Sequence, residues 1–342
     1  MKVGMYYNNR DVRVEEQDTP AVGAGDLLIK IMASGICGSD IMEWYRIAKA
    51  PLVLGHEITG EVVEVGRDVQ GFAVGDRVFS THHVPCDECN DCLNGNQTAC
   101  EVFHGENNFT PGGFAEYLRV GGRSITKGTV GLPDEVSYED GSFIEPLGTV
   151  VRGLREAEIC PGDSVLVIGS GLIGLMHVKL ARALGAGRIV ATDVHESRLE
   201  AASRFGADHT VAAAADVPAF VREVNDGRLV DKVILCSGAM PAAETALAAV
   251  EKGGTVLFFA VPKPDERIAV DINAYWRDSI SIKGSYAAAP IDNLQALELI
   301  RSGRVRVDDM ITHRLPLDEI SEGFRLACAG AESLKVIIQP HS

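Results

Sequence analysis

Half of the eight cysteines in this 342-residue chain lie in one short segment, PCDECNDCLNGNQTAC (85–100). Cys86, Cys89 and Cys92 follow a C-x-x-C-x-x-C pattern, and Cys100 completes the group. Four thiolates at such spacing suit a tetrahedral structural zinc ion, although two disulfides or an iron–sulfur cluster use similar runs. A closed four-thiolate shell leaves no open position for a substrate. The segment is therefore predicted to stabilise a loop and to carry out no chemistry.

A second set of metal-ligand residue types lies in SGICGSD and LGHEITGEVVEVG. Cys37 stands between glycine-containing turns, and His56 and Glu57 follow the strand-like segment PLVLG. A lone cysteine or histidine is usually structural, but a catalytic zinc takes about three protein ligands of mixed type and keeps one position open. Asp40 is placed to accept a hydrogen bond from the ligand imidazole. The segment SFIEPLG offers Glu145 as a third ligand, although the proline after it equally fits a carboxylate at a helix start.

A glycine-rich turn in DSVLVIGSGLIGLMHVKLARALGAGRIVATDV predicts a dinucleotide site. A short apolar strand leads into G-x-G-x-x-G at Gly169, Gly171 and Gly174, and a helix is expected over about 172–184. The next strand, RIVATD, ends on Asp193. The glycines let the backbone approach a pyrophosphate at the helix N-terminus, and an acid about 20 residues further on binds the ribose hydroxyls of NAD.

The same acid predicts a preference for NAD, because a carboxylate such as Asp193 repels the additional phosphate of NADP. Arg198 lies close enough in the sequence to weaken that prediction. Further strands are expected at KVILCSG (from Lys232), TVLFFAVP (from Thr255) and SISIKGSY, with an alanine-rich helix AAETALAAVEKGG between the first two. The stretch VAAAADV (211–217) is interpreted as surface. Strands alternating with helices predict a doubly wound parallel sheet.

The composition is that of an ordinary globular protein, with 46% hydrophobic and 23% charged residues. The net charge of −16 disfavours nucleic acid and anionic membranes as partners. Since no apolar run has the length of a signal peptide or a membrane span, we expect a cytoplasmic protein whose thiols are free or metal-bound. A chain of 342 residues is expected to form two domains.

Together the motifs resemble those of the zinc-dependent medium-chain alcohol dehydrogenases, in the branch with sorbitol (polyol) and threonine dehydrogenases. The resemblance covers essentially the whole chain and rests on GICGSD, GHEITGEVVEVG, the cysteine segment, GGFAEY, EPLG, GSGLIG and ITHRLPLDEISEGF. It implies an α/β fold with a GroES-like distorted β-barrel catalytic domain over 1–147 and 288–342. It also implies a structural zinc lobe over about 85–101 and a Rossmann NAD-binding domain over 148–287.

The resemblance assigns roles to individual residues as well. Cys37, His56 and Glu145 match catalytic-zinc ligands, and Glu57 matches a carboxylate that holds the zinc water or exchanges with a ligand. Ser39 matches the hydroxyl that takes the proton of the alcohol. The implied cofactor contacts are Gly169, Gly171, Leu172, Ile173, Gly174, Asp193, Arg198, Ser237, Val261, Ser285 and, at the pyrophosphate, Lys335.

The implied reaction is NAD-dependent oxidation of a secondary alcohol in a polyol, cyclitol or amino-alcohol to a ketone, with two zinc ions per subunit. Zinc would lower the pKa of the alcohol, Ser39 would pass the proton outward, and nicotinamide would accept the hydride. A homo-oligomer is expected, a tetramer before a dimer, formed through edge strands near IAVDI and SISIKGS.

Three departures from the family pattern keep alternatives open. Met42 stands where many relatives carry the histidine that ends the proton relay, and Ala287 replaces a polyol-binding arginine. EPLGTVVRG lacks the Asn and His that threonine enzymes carry after the third ligand. The alternatives are an L-threonine 3-dehydrogenase-like enzyme, or a non-catalytic or zinc-free reductase-like protein that binds dinucleotides on the same scaffold.

Overall fold

The computed structural model describes residues 1–105, 108–330 and 333–342. The chain divides into two compact units, a first unit of Met1–Gly148 with Ala288–Ser342 and a second unit of Thr149–Ala287. The first unit is thus built from both ends of the chain, and the second is a continuous insertion.

Short strands lie in both units of the described chain. The strands are β1 (Lys2–Asn8), β2 (Asp11–Glu16), β3 (Leu27–Gly35), β4 (Leu52–Val53), β5 (Glu57–Val65), β6 (Arg77–Ser80), β7 (Phe109–Thr110), β8 (Tyr117–Val120), β9 (Thr129–Gly131), β10 (Ser164–Ile168), β11 (Arg188–Asp193), β12 (His209–Ala212), β13 (Val230–Leu235), β14 (Val250–Phe258), β15 (Ser281–Gly284), β16 (Ile311–Pro316) and β17 (Lys335–Gln339).

The helices are α1 (Glu43–Arg46), α2 (Asn90–Leu93), α3 (Glu101–Gly105), α4 (Tyr138–Gly141), α5 (Ile144–Glu156), α6 (Leu172–Ala183), α7 (Glu196–Arg204), α8 (Val217–Val224), α9 (Met240–Ala248), α10 (Ile272–Arg277), α11 (Pro290–Arg301) and α12 (Ile320–Ala329). Single 3₁₀ turns lie at Ile47–Lys49, Gln97–Ala99, Asp308–Met310 and Leu317–Glu319, and a π-helical turn at Ser124–Gly128. Within the described ranges, none of these helices has the length and apolar character needed to span a membrane.

The first unit is organised by a mostly antiparallel sheet in the order β16-β17-β3-β5-β6-β9, with β8 also paired to β3 and β7 to β8. The alternation in β3 (LLIKIMASG) turns Leu27, Ile29 and Ile31 into the interior, where all three are fully buried. Ile58 of β5 packs in the same cluster. The register places Gly35, the last residue of β3, opposite Glu57, the first residue of β5, so two segments with metal-ligand residues meet at this end of the sheet.

The second unit is a parallel sheet in the order β12-β11-β10-β13-β14-β15. Numbered from the first strand of the unit, this is 3-2-1-4-5-6, the order of Rossmann sheets. The central strand β10 (SVLVI) is buried along its whole length, as expected for a parallel strand covered on both faces. The predicted doubly wound sheet is therefore confirmed.

Three details of this unit differ from the sequence predictions. Residues 209–212, partly inside the stretch interpreted as surface, form the edge strand β12, because their backbone pairs with β11. The alanine-rich helix α9 ends at Ala248, and VEKGG already belongs to β14. The segment IAVDI forms no strand in the described structure, and α10 begins at its last residue, Ile272.

Candidate active site

A tight turn after β3 fixes the first metal-ligating thiol. The backbone N–H of Asp40 donates to the carbonyl of Cys37 (3.0 Å), and the N–H of Cys37 donates to the Asp40 carboxylate (3.0 Å). The other carboxylate oxygen lies 3.4 Å from Nδ1 of His56. Burial would raise the pKa of Asp40, but His56 and Arg46 outweigh it and hold that pKa below its usual value. Asp40 thus orients the thiol segment and the imidazole together.

Three potential ligand atoms converge at the end of the sheet where β3 and β5 meet. The Sγ of Cys37, an imidazole nitrogen of His56 and a carboxylate oxygen of Glu57 all lie within 4.8 Å of one another. His56 and Glu57 are neighbours, and adjacent residues inside a strand point to opposite faces. His56, however, precedes β5 and Glu57 is its first residue, so strand alternation does not separate them. Thiolate, imidazole and carboxylate are the ligands that zinc takes in proteins.

The electrostatics of this group favour a cation. Burial raises the pKa of Cys37, and the Glu57 carboxylate raises it further. Burial would lower the pKa of His56, but Asp40 and Cys37 outweigh it and raise that pKa well above its ordinary value. A divalent cation favours the thiolate and the neutral imidazole, the forms that act as ligands. The donor set therefore fits a zinc ion.

Glu145 faces the same region but lies outside the converging group. It is in the first turn of α5 and only 6% exposed. Burial raises its pKa to about 7, with His56 opposing the increase and Glu57 adding to it. Its oxygens are not among the donor atoms that lie within 4.8 Å of one another. In this structure the carboxylate of the compact group belongs to Glu57.

Lys335, the residue predicted at the cofactor pyrophosphate, has a partner within the first unit. Its side chain is fully buried and forms an ion pair with Glu57. Its Nζ also lies 3.4 Å from the carbonyl oxygen of Ile36 and 5.5 Å from the ring centroid of Phe143. Gly35 makes room for the pair, since a Cβ there would collide with both side chains. In this structure Lys335 is the counter-charge of Glu57.

Ser39, the predicted proton-transfer hydroxyl, is held by an arginine that the sequence analysis did not select. Nη2 of Arg46 donates to Ser39 Oγ (3.0 Å), and Nε donates to the Ser39 carbonyl (2.9 Å). The N–H of Ser39 lies 3.4 Å from Cys37 Sγ. Arg46 lies four residues after Met42, which occupies the position of the relay histidine in many relatives. A basic residue this close to that position was the signal in the sequence.

Two adjacent histidines also border the group and were missed. The ring centroid of His82 lies 5.6 Å from that of His56 and 3.8 Å from that of His83. Burial lowers the pKa of both residues, that of His83 to about 3, so both rings are neutral near pH 7. The sequence feature that could have indicated them is the pair of adjacent histidines in VFSTHHVPC, directly after β6.

The four predicted lobe cysteines are gathered in one place. The sulfurs of Cys86, Cys89, Cys92 and Cys100 all lie within 4.8 Å of one another. The backbone N–H of Cys89 donates to Cys86 Sγ (3.3 Å), and that of Cys86 to Cys100 Sγ (3.5 Å). Backbone donors stabilise thiolates, so the set fits a four-coordinate zinc with no position left for a substrate.

In the second unit the glycine-rich turn has the geometry of a phosphate site. Gly169 follows β10 with φ +94°, a backbone conformation that other residues rarely adopt. A Cβ on Gly174 would collide with the Gly169 carbonyl, so the helix can pack this closely on the turn only with glycine there. Gly171 has open space around it and precedes α6, whose first residues are Leu172 and Ile173. The helix N-terminus and the open backbone suit a pyrophosphate.

Asp193 ends β11 beside this turn and is 5% exposed. Its oxygens accept the backbone N–H groups of Ser170 (2.7 Å) and His195 (2.9 Å). Nη1 of Arg198 lies 3.6 Å from the carboxylate. A carboxylate offers about four acceptor positions, so two remain for ribose hydroxyls.

The remaining predicted cofactor residues share one edge of the parallel sheet. Ser237, Val261 and Ser285 follow the carboxyl ends of β13, β14 and β15, the edge at which open α/β sheets bind ligands. Val261 is 57% exposed, and the buried hydroxyl of Ser285 has no hydrogen-bond partner in the described structure.

Comparison with known proteins identifies the family. Residues 23–134 match the alcohol dehydrogenase GroES-like domain, and residues 173–302 match the zinc-binding dehydrogenase domain. The chain is 33% identical to an L-threonine 3-dehydrogenase of Salmonella typhi (93% of each chain) and 30% identical to the sorbitol dehydrogenase of Bacillus subtilis (100% and 98%). A protein of Sinorhizobium meliloti, described as a zinc-binding dehydrogenase and solved bound to NADP, superposes with a TM-score of 0.89 at 29% identity over 99% of both chains.

Fold and sites together define an alcohol or polyol oxidoreductase with zinc and NAD(P) as cofactors. The chain belongs to the zinc-dependent medium-chain alcohol dehydrogenase family. The predicted family and fold class are therefore confirmed.

Proposed function

We propose that the protein oxidises a secondary alcohol within a polyol, cyclitol or amino-alcohol to the ketone, with NAD as the hydride acceptor. The observation that carries the proposal is the convergence of Cys37, His56 and Glu57 donor atoms, with Asp40 ordering two of them. The relatives named for sorbitol and threonine support the substrate class, because both molecules carry a secondary alcohol beside a second polar substituent.

Cys37, His56 and Glu57 would hold the catalytic metal, and Glu145 would ligate it in at least one state. When bound, zinc supplies the Lewis acidity that lowers the pKa of an alcohol, on the scale known for water. Glu57 is paired with Lys335 in this structure, and the raised pKa of Glu145, about 7, would let that carboxylate take a proton near neutrality. Neither carboxylate would therefore be an uncompensated buried charge when it does not ligate the metal.

Ser39 would receive the proton of the alcohol, since its backbone N–H lies 3.4 Å from Cys37 Sγ and its hydroxyl can accept and donate at the same time. In the second unit the glycine turn would hold the pyrophosphate and Asp193 the ribose. NAD, when bound, accepts the hydride. We expect NAD to be preferred because the Asp193 carboxylate repels a ribose phosphate, and Arg198 beside it reduces that repulsion only in part.

A screen of NADH formation tests the proposal directly. The purified protein is assayed with sorbitol and other polyols, cyclitols, L-threonine and simple secondary alcohols, together with a His56→Ala variant and a matched control, His313→Ala, at a half-buried position of β16. We expect turnover on at least one polar secondary alcohol, lost in His56→Ala and kept in His313→Ala. No turnover on any of these substrates, or equal rates in all three proteins, would contradict the proposal.

We also propose that the enzyme is a homo-oligomer, a tetramer before a dimer. The strand β15 is the last in the order of the second unit's sheet, and its Ile282 is 44% exposed. Ile272 and Trp276 of the preceding helix α10 are 70% and 78% exposed. Exposed apolar edge strands favour pairing, and symmetric pairing between copies covers them. Light scattering at micromolar concentration is expected to report a dimer or tetramer, and a monomer would refute the assembly.

A reducing compartment such as the cytoplasm fits the state of the cysteines. All eight are free of disulfides, and five of them belong to the two groups that fit zinc. Zinc ligands must stay reduced to bind. Fractionation of cells that express the native protein is the test, and recovery outside the cytoplasm would contradict this assignment.

A further inference from the structure

The contact between Arg46 and Ser39 joins α1 to the turn after β3. The guanidinium makes two hydrogen bonds to one residue, through Nη2 to the hydroxyl (3.0 Å) and through Nε to the carbonyl (2.9 Å). The Arg46 side chain is 15% exposed, and its guanidinium carbon lies 4.8 Å from the centroid of the Tyr45 ring. A planar fork held at two points and supported by a ring fixes the hydroxyl it contacts.

Arg46 also forms an ion pair with Asp40, but this contact is the longer one. Asp40 Oδ1 lies 3.7 Å from Nη2 of Arg46, within ion-pair range but beyond hydrogen-bond distance. The same oxygen lies closer, at 3.4 Å, to Nδ1 of His56. The short contacts of the guanidinium are therefore those to Ser39.

The contact determines what the hydroxyl can do. A serine hydroxyl has one hydrogen to donate and two lone pairs to accept with. Arg46 uses one lone pair, so the hydroxyl hydrogen points away from the guanidinium and one lone pair stays available. A guanidinium cannot accept a proton, so a proton that reaches Ser39 cannot continue through Arg46. Met42 cannot carry it either, because a thioether is not a base at neutral pH.

We infer that Arg46 is a positioning residue for proton transfer. It holds the Ser39 hydroxyl so that the free lone pair receives the proton of the alcohol. The hydroxyl's own hydrogen then leaves on the opposite side, to an acceptor other than Met42. This inference rests on the proposed oxidation of an alcohol. In this chain Arg46 would orient the Ser39 hydroxyl, where many relatives have a relay histidine.

Kinetics of Arg46→Ala, Arg46→Lys and a Lys49→Ala control test the inference. Lys49 is exposed and also lies over the Tyr45 ring, with its Nζ 5.2 Å from the ring centroid. It is therefore a positively charged control from the same segment as Arg46. Because a positioned proton-transfer group contributes roughly 100-fold or more, we expect Arg46→Ala to lower kcat by roughly tenfold to 100-fold. The KM for the alcohol and the zinc content should stay the same, and the solvent deuterium isotope effect on kcat should increase.

Arg46→Lys should recover part of kcat, since one charged donor can still reach the hydroxyl, and Lys49→Ala should match the unmodified enzyme. A loss of kcat in Arg46→Ala that follows a loss of zinc, or an unchanged kcat with an unchanged isotope effect, would overturn the inference.

A readout independent of turnover is the melting temperature of Ser39→Ala, Arg46→Ala and the double variant. Groups in contact give non-additive changes, so the double variant should melt higher than the sum of the two single losses predicts. Additive losses would show that the contact does not form and would overturn the inference. If the cycle shows coupling but the unmodified protein oxidises no alcohol, the proposed function fails and the contact does not.

Discussion

Replacing Lys335 with methionine tests the buried pair at the centre of the first unit. Lys335 and Glu57 have side-chain exposures of 0% and 1%, so solvent screening does not reduce the cost of separating them. Removing one partner leaves a buried carboxylate without its counter-charge, and breaking such a pair typically costs about 3–5 kcal/mol. Lys335→Met should therefore lower the free energy of unfolding of the first unit by about that amount in zinc-free protein.

Two further variants make the magnitude interpretable. Glu57→Gln combined with Lys335→Met removes both charges and should recover most of the loss, because replacing a whole buried pair by neutral groups is often close to neutral. Lys2→Met breaks an exposed pair between side chains that are 44% and 60% exposed, those of Lys2 and Asp318, and should leave the stability nearly unchanged because water screens such pairs.

The assay is urea unfolding followed by the fluorescence of Trp44. The chain has two tryptophans, and a Trp276→Phe background leaves only the one in the first unit, so the fluorescence follows the unfolding of that unit alone. Saturating zinc should reduce the effect of Lys335→Met, since the metal offers Glu57 another cation. If Lys335→Met unfolds within 1 kcal/mol of its background, the reasoning about the pair is wrong.

Three other outcomes are expected. Asp193→Ala should narrow the ratio of kcat/KM for NAD over NADP by roughly tenfold or more, whereas equal use of both cofactors by the unmodified enzyme would refute the role of the acid. Cys100→Ala should lose one zinc and lower the melting temperature while affecting turnover only indirectly; complete loss of turnover at an unchanged melting temperature would contradict this. Burial raises the pKa of Glu145 to about 7 from 4.5, so the folded zinc-free protein retains a proton that the unfolded chain has lost, and its stability should fall as the pH rises through that window. Glu145→Gln should flatten the fall, and an identical pH profile in both proteins would argue against it.

Local patterns explain why much of the second unit was predictable. The strand RIVATD has the predicted bounds, and α6 begins at the predicted residue, because an apolar strand, a glycine turn and a helix are adjacent in sequence. The edge strand β12 was missed because its four residues carry little apolar pattern, and only pairing with β11 makes them a strand.

The candidate metal groups were predictable by residue type, but their partners were not. Lys335 and Glu57 are separated by 278 positions in the sequence, and nothing local to either residue indicates the other. Arg46 is only seven residues from Ser39, yet its role depends on how α1 folds back over the turn. Tertiary packing, and not sequence spacing, brings Lys335 to Glu57 and Arg46 to Ser39.

The number of zinc ions per chain tests the account most directly. Metal analysis of the unmodified protein, His56→Ala and Cys100→Ala should give two, one and one, because the two groups of donor atoms bind independently. Only His56→Ala should abolish oxidation of the alcohol by direct loss of the catalytic ion. A single zinc in the unmodified protein that survives His56→Ala, with oxidation of the alcohol intact, would show that Cys37, His56 and Glu57 do not form the catalytic metal site.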